Sequence, residues 1–252
     1  MSAPAEDFSI GVEEEYQIVD PDTRELRSRA WRVLPEAQRA IGDEAQPELY
    51  LSQIEACTPI CRTLADVRSE IVRVRREVIA AAAKDGKVIA AAGTHPFSHW
   101  EDQQLTPKPR YWRSAAEFQQ LTRELVIFGC HVHVGLSDRE VAIGVLNRVR
   151  VWLAPMLALS ANSPFWLGAD TGYASFRTQI WARFPMSGVP HAFTSRAEYD
   201  ELVRTLVETG SIEDTTRIYW DVRLPDRVPT VECRVTDVCM RVDETVMIAA
   251  LA

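Results

Sequence analysis

The stretch Ile10-Gly11-Val12-Glu13-Glu14-Glu15-Tyr16-Gln17-Ile18-Val19 decides how the rest of the chain is read. Its β-branched and aromatic residues predict a strand, and strand alternation sends Glu13 and Glu15 to one face and Glu14 to the other. Like charges on one strand face disfavour each other unless a counter-charge sits between them. Glutamate is also depleted from strands, so the pair calls for a chemical reason.

Three later stretches repeat the device. Leu49-Tyr50-Leu51-Ser52-Gln53-Ile54-Glu55-Ala56 places Gln53 and Glu55 on one face. Val126-Ile127-Phe128-Gly129-Cys130-His131-Val132-His133-Val134-Gly135 does the same for His131 and His133, and Val231-Glu232-Cys233-Arg234-Val235 for Glu232 and Arg234. The opposite positions are apolar: Ile54 and Ala56; Cys130, Val132 and Val134; Val231, Cys233 and Val235. This is the pattern of a sheet whose back is covered and whose front holds chemistry. A sheet with a wetted front would also carry polar residues there. Four strands bearing ligand-type residues, with hardly a Thr or Lys among them, favour a site.

Composition sets the limits. With 46% hydrophobic and 25% charged residues over a length of 252, the chain is ordinary for a soluble globular protein and can bury a full core. A formal charge of −8 argues against a general nucleic-acid or membrane-surface binder, which needs a basic patch. No apolar run approaches the length of a membrane span, and the acidic residues 1–7 lack the basic and apolar regions of a signal peptide, so a cytoplasmic location is expected. The five cysteines fit neither a zinc ribbon nor a CxxC pair, and reduced thiols are expected.

Along the chain, residues 63–84 form the clearest helix: Thr63 can cap, Asp66 stands three positions on, and Leu64, Val67, Ile71, Val74 and Val78 recur at helical spacing. Further helices are predicted over 31–40, 113–124, 138–150 with Asp138 as cap, 151–161 containing Pro155, 195–208, and from Val242 onward. Residues 88–93 and 219–223 read as strands, and the Gly-, Pro- and aromatic-rich segment 163–188, with Arg177 and Arg183, suits a pocket rim. Strands separated by helices, with Pro-marked turns between the last two strands, predict an antiparallel-rich α+β fold.

Carboxylates with one or two imidazoles and no thiolate in register make a hard, oxygen-rich site suited to Mg²⁺ or Mn²⁺. Magnesium usually bridges such carboxylates to substrate phosphates, and Arg234 offers a planar fork for a phosphoryl group. There is no G-x-x-x-x-G-K-[ST] and no G-x-G-x-x-G, so phosphates would be held by metal ions and arginines. No G-x-S-x-G or H-E-x-x-H occurs either. His95, His99 and His191 are lone loop histidines, read as structural or solvent-exposed, with His95 the first exception to consider.

Seven stretches together resemble the glutamate–cysteine ligase type 2 group of carboxylate–amine ligases: Gly11-Val12-Glu13-Glu14-Glu15-Tyr16, Ser52-Gln53-Ile54-Glu55-Ala56, Gly93-Thr94-His95-Pro96-Phe97, Cys130-His131-Val132-His133-Val134-Gly135, Ala158-Leu159-Ser160-Ala161-Asn162-Ser163-Pro164-Phe165-Trp166, Thr171-Gly172-Tyr173-Ala174-Ser175-Phe176-Arg177 and Thr230-Val231-Glu232-Cys233-Arg234-Val235-Thr236-Asp237-Val238-Cys239. The resemblance runs through the whole chain. It implies a glutamine-synthetase-like catalytic domain over residues 1–252, with a curved antiparallel sheet forming a funnel and helices outside. It assigns Glu13, Glu15, Glu55, His131 and Glu232 to metal binding and Arg234 to the transferred phosphoryl group, with Mg²⁺ or Mn²⁺ as metal and ATP as co-substrate. His133, Arg177, Trp220 and Arg223 are further candidates for nucleotide or substrate contacts. Since the resembling proteins are longer, a C-terminal part of the fold is expected beyond residue 252.

The activity implied is ATP-dependent joining of a glutamate-like carboxylate to a cysteine-like amine through an acyl phosphate, in a protein that could form homo-oligomers. A metal-dependent amide or phosphoester hydrolase is an alternative, because histidines with carboxylates can also activate water. A catalytically impaired nucleotide-binding fragment is another.

Overall fold

A computed structural model describes residues 8–252, so the acidic stretch 1–7 lies outside the described residues. The first quoted stretch is strand β1 (Ile10–Val19), and its alternation is as expected: Val12, Glu14 and Tyr16 are buried while Glu13 and Glu15 are half-buried on the other face. β1 lies inside a seven-stranded sheet with β2 (Ala45–Pro47), β3 (Gln53–Cys57), β4 (Val88–Ala90), β5 (Gly129–Gly135), β8 (Val222–Arg223) and β9 (Thr230–Asp237). The order is β2-β3-β1-β5-β9-β8, with β4 added along the far end of β1, and every pairing is antiparallel. A separate hairpin joins β6 (Phe165–Trp166) to β7 (Ala169–Asp170).

Helices cover one face. These are α1 (Ala30–Ile41), α2 (Leu64–Lys84), α5 (Arg139–Val149), α6 (Leu153–Ser160) and α9 (Val242–Leu251), each packed on the sheet or on a neighbour that is. The predicted apolar positions Ile54, Ala56, Cys130, Val132, Val231 and Cys233 are buried beneath them. α2 begins in the expected capping box, Thr63 Oγ1 accepting from Asp66 N at 3.1 Å and Asp66 from Thr63 N at 2.9 Å. Asp138 caps α5. On the open face lie α3 (Pro109–Phe118), α4 (Gln120–Arg123) and α7 (Phe176–Trp181), while α8 (Arg196–Glu208) packs beside α5 on the covered side, near the edge strand.

Several boundaries differ from expectation. The helix expected over 113–124 is two helices, because Gln119 takes φ 48°, a left-handed conformation that interrupts the ladder. The strand expected from 49 starts at Gln53; before it the chain turns, Gln53 Oε1 accepting from Tyr50 N at 3.0 Å. β5 starts at Gly129, since Phe128 N instead donates to Gly93 O at 2.9 Å. Among the described residues no single helix is long and apolar enough to cross a membrane.

Candidate functional site

Strand register brings the ligand-type side chains together. Glu15 pairs across to Glu55 of β3, Glu13 to His131 of β5, His133 to Glu232 of β9, and Glu232 to Arg223 of β8. Between Cys130 and Val132 the register slips, so β9 carries one residue more than β5 beside His131. Arg234 N lies in that stretch and donates to Asp221 O at 2.7 Å.

Two groups of ligand atoms form on this face. In one, donor atoms of Glu13, His133 and Glu232 lie within 4.8 Å of one another; in the other, those of Glu15, Glu48 and Glu55 do. His131 belongs beside the first group, with Nδ1 3.2 Å from Glu13 and 4.0 Å from Glu232. His133 Nε2 is 3.2 Å from the other oxygen of Glu13, and its Nδ1 is 3.0 Å from Thr230 Oγ1. All of Glu13, Glu15, Glu55, His131 and Glu232 therefore face one region. Glu48 is the member that sequence reading missed: it follows β2 in a segment with no alternation to mark it.

The electrostatics of the two groups differ. Burial works against ionisation of Glu232, 1% exposed, but Arg234 and then Arg223 outweigh it and pull its carboxyl down to about 2. Burial likewise opposes ionisation of Glu13, yet hydrogen bonds from His131 and His133 hold its carboxyl well below the ordinary range. Burial and the Arg234 charge push His131 down to about 4, so its imidazole is neutral near pH 7. In the second group burial dominates, and the neighbouring Glu48 adds to it, raising Glu15 to about 7; burial and surrounding carboxylates raise Glu55 well above its usual value. Three carboxylates cannot all stay ionised this close without a cation. The hard oxygen donors fit Mg²⁺ or Mn²⁺, and a divalent ion would supply the missing charge.

Arg234 and Arg223 grip the same carboxylate. Arg223 Nε donates to Glu232 Oε2 at 2.6 Å and Arg234 Nη1 to Oε1, while Arg234 Nε is buried without a hydrogen-bond partner among the described residues. Arg177 is 4% exposed and lies where only glycine allows it: a Cβ at Gly129 would fall 2.3 Å from its Nη2. Its charge faces the fully buried Asp237, 4.0 Å away, which accepts from Ser163 Oγ at 2.6 Å and Ser175 Oγ at 2.8 Å. Arg177 Nε also lacks a partner among the described residues.

Two cavities meet at Glu13. One, of about 370 Å³, is lined by Glu15, Glu48 and Glu55, by Lys108, Arg110, Arg177, Arg223 and Arg234, and by Tyr111, Trp181 and Tyr219. The other, of about 610 Å³, is lined by Glu13, His133 and Thr230 together with Ile10, Ile60, Leu136, Val228 and Pro229. Trp220 belongs to neither. Strand parity that turns Tyr219 and Arg223 to the cavity turns Trp220 to the back, where it is 6% exposed and packs against Phe193 and Tyr199. The expectation that it contacts ligand is therefore corrected. His95 is structural: Nε2 lies 2.9 Å from Arg24 O and Nδ1 accepts from Ser98 N at 2.9 Å.

With this geometry in hand, comparison with known proteins decides the family, because the pattern of glutamate–cysteine ligase family 2 matches residues 9–252. The chain belongs to that family. It is 44% identical over 244 residues to a Herpetosiphon aurantiacus protein named "Putative glutamate--cysteine ligase 2", covering 97% of this chain and 63% of that one. It is 47% identical over 243 residues to the protein of the same name from Rhodopirellula baltica, covering 94% and 65%. The chain thus spans about two thirds of the length of these relatives. Among solved structures it is similar to a bifunctional glutathione synthetase from Pasteurella multocida, with a TM-score of 0.69, 15% identity, and coverage of 97% of this chain and 37% of that one. It is also similar to a glutamate–cysteine ligase from Francisella tularensis in complex with AMP, with a TM-score of 0.65, 14% identity, and coverage of 92% and 61%. These likenesses show the fold alone: a glutamine-synthetase-like α+β architecture whose antiparallel sheet is open and not closed into a barrel.

Proposed function

We propose that the protein joins a glutamate-like carboxylate to an amine, cysteine-like by family, through an acyl phosphate formed with ATP. The observation that carries this reading is the pair of carboxylate groups lying between two cavities of different character, with Arg234 beside them. The larger, more apolar cavity, touching Glu13 and His133, suits a nucleotide base whose phosphates reach the first group. The smaller one, with five cationic side chains, suits the acid substrate.

Glu13, Glu232 and a histidine would hold one divalent ion and Glu15, Glu48 and Glu55 another, and ions held there would supply positive charge to offset that of the phosphoryl oxygens. Arg234 supplies a fixed fork to the phosphoryl group, and the Glu232 carboxylate keeps that fork oriented. Arg223 holds Glu232 ionised from the other side. Arg177, whose Nε has no partner among the described residues, is available to a substrate carboxylate. Trp181 and Tyr219, 5.1 Å apart edge to face, wall the cavity against water that would hydrolyse the acyl phosphate. No side chain need act as covalent nucleophile.

The test supplies ATP, Mg²⁺, glutamate and hydroxylamine. Formation of a hydroxamate with one ADP and one phosphate supports the reading. Hydrolysis of amides or phosphoesters without nucleotide would favour the metal-dependent hydrolase instead.

A further inference from the structure

On the covered face, Glu14 is 2% exposed, and no role above uses it. Arg75 of α2 is its partner, with Nε 2.9 Å from Oε2 and Nη2 2.5 Å from Oε1. Thr245 of α9 donates to Oε1 at 2.7 Å, and the Tyr16 hydroxyl donates to Oε2. The same guanidinium donates to the carbonyls of Cys239 and Met240, each at 2.8 Å, in the segment that follows β9. This bridge spans β5 at Cys130, which pairs with Glu14 on one side and Thr236 on the other. One side chain thus fastens β1, bearing Glu13 and Glu15, to the end of β9, bearing Glu232.

Buried ion pairs are seldom kept for stability, because well-packed apolar residues of similar volume often serve as well or better; their best-attested use is to specify register. β1 needs such a device. In Glu13-Glu14-Glu15 a slip of one residue exchanges the faces yet still presents a glutamate to the cavities. Val12, Tyr16 and Ile18 oppose the slip along the strand, and at its centre Arg75 distinguishes Glu14 from its neighbours. We infer that Glu14 and Arg75 are a positioning pair that sets Glu13 and Glu15 against Glu232, and so tunes the affinity for the divalent ion. The inference rests on the reading of Glu13, Glu15 and Glu232 as metal ligands.

The experiment measures Mn²⁺ binding by calorimetry on chelator-stripped protein, beside melting temperature. Arg75→Met leaves Glu14 buried without a counter-charge and lowers the melting temperature. The double variant Glu14→Met, Arg75→Met removes both charges and brings the melting temperature back toward wild type. A purely structural pair would also return Mn²⁺ affinity to the wild-type value; a positioning pair leaves it about tenfold or more weaker, the usual scale for outer partners of metal ligands. Arg75→Lys, which keeps the charge and loses the two-pronged fork, is predicted to weaken Mn²⁺ binding to a smaller extent and serves if the double variant does not fold. A folded double variant, or in its place Arg75→Lys, with wild-type Mn²⁺ affinity would overturn the inference. A wild-type protein that binds no Mn²⁺ would overturn the ligand reading and the inference with it.

Discussion

Glu232 of β9 lies directly across from Arg223 of β8 and accepts from it at 2.6 and 3.3 Å, while Arg234, two residues further along β9, holds the same carboxylate from its own strand. One anion thus orients two guanidiniums, and Arg234 retains a buried Nε with no partner among the described residues. That leftover donor capacity is what a phosphoryl oxygen would use.

Arg234→Lys keeps the charge but loses the planar fork. It is expected to lower kcat by roughly one hundred to one thousand fold, the scale of one preorganised transition-state donor, with a smaller change in the KM for ATP. Steady-state kinetics check this; a normal kcat with a raised KM would place Arg234 in nucleotide docking.

The three adjacent glutamates are expected to respond differently to the same change. Glu13→Gln should weaken Mn²⁺ binding strongly with little loss of melting temperature, because its carboxylate faces the cavities. Glu14→Gln should cost on the order of 3 kcal/mol of stability, since it breaks a buried ion pair with Arg75, and should affect Mn²⁺ less than Glu13→Gln does. Denaturant unfolding and metal titration of both variants separate these outcomes.

Gly129→Ala forces the Arg177 guanidinium aside, because the new methyl would lie 2.3 Å from Nη2. If Arg177 binds the acid substrate, KM for that substrate should rise about tenfold or more, the loss of one hydrogen bond to a charged group. An unchanged KM would release Arg177 from substrate binding.

Much of this site was legible in strand alternation. Glu13, Glu15, Glu55, His131, His133, Glu232 and Arg234 each stand opposite an apolar neighbour, and a period of two is visible without knowing which strands pair. Glu48 was not legible, because it follows a three-residue strand and enters the site through tertiary placement alone. For Trp220 the alternation of a strand over 219–223 already separates it from Arg223, so the two could not both face the cavities; which one turns to the core is decided by Phe193 and Tyr199, which no local pattern brings there. The partners that explain Glu14 and Arg177, namely Arg75 and Asp237, lie 61 and 60 residues away in the chain, and no local pattern joins them.

His95 gives a pH prediction. Burial lowers its pKa in the folded state, so the unfolded chain takes up a proton first as pH falls, and the folded state loses stability as pH drops below about 6.5. Protonation also converts Nδ1, which accepts from Ser98 N at 2.9 Å, into a donor. The melting temperature should therefore fall between pH 7.5 and 5.5, and less steeply in His95→Asn, whatever that variant's absolute stability. Equal slopes would remove His95 as the cause.

The central claim is that the acid substrate is activated as an acyl phosphate, and oxygen transfer tests it most directly. With glutamate labelled with ¹⁸O in its side-chain carboxylate, ATP, Mg²⁺ and an amine, each phosphate released should carry one ¹⁸O, because the oxygen that attacks the γ-phosphoryl leaves with it when the amine displaces phosphate. Unlabelled phosphate, or release of AMP and pyrophosphate in place of ADP and phosphate, would contradict the account.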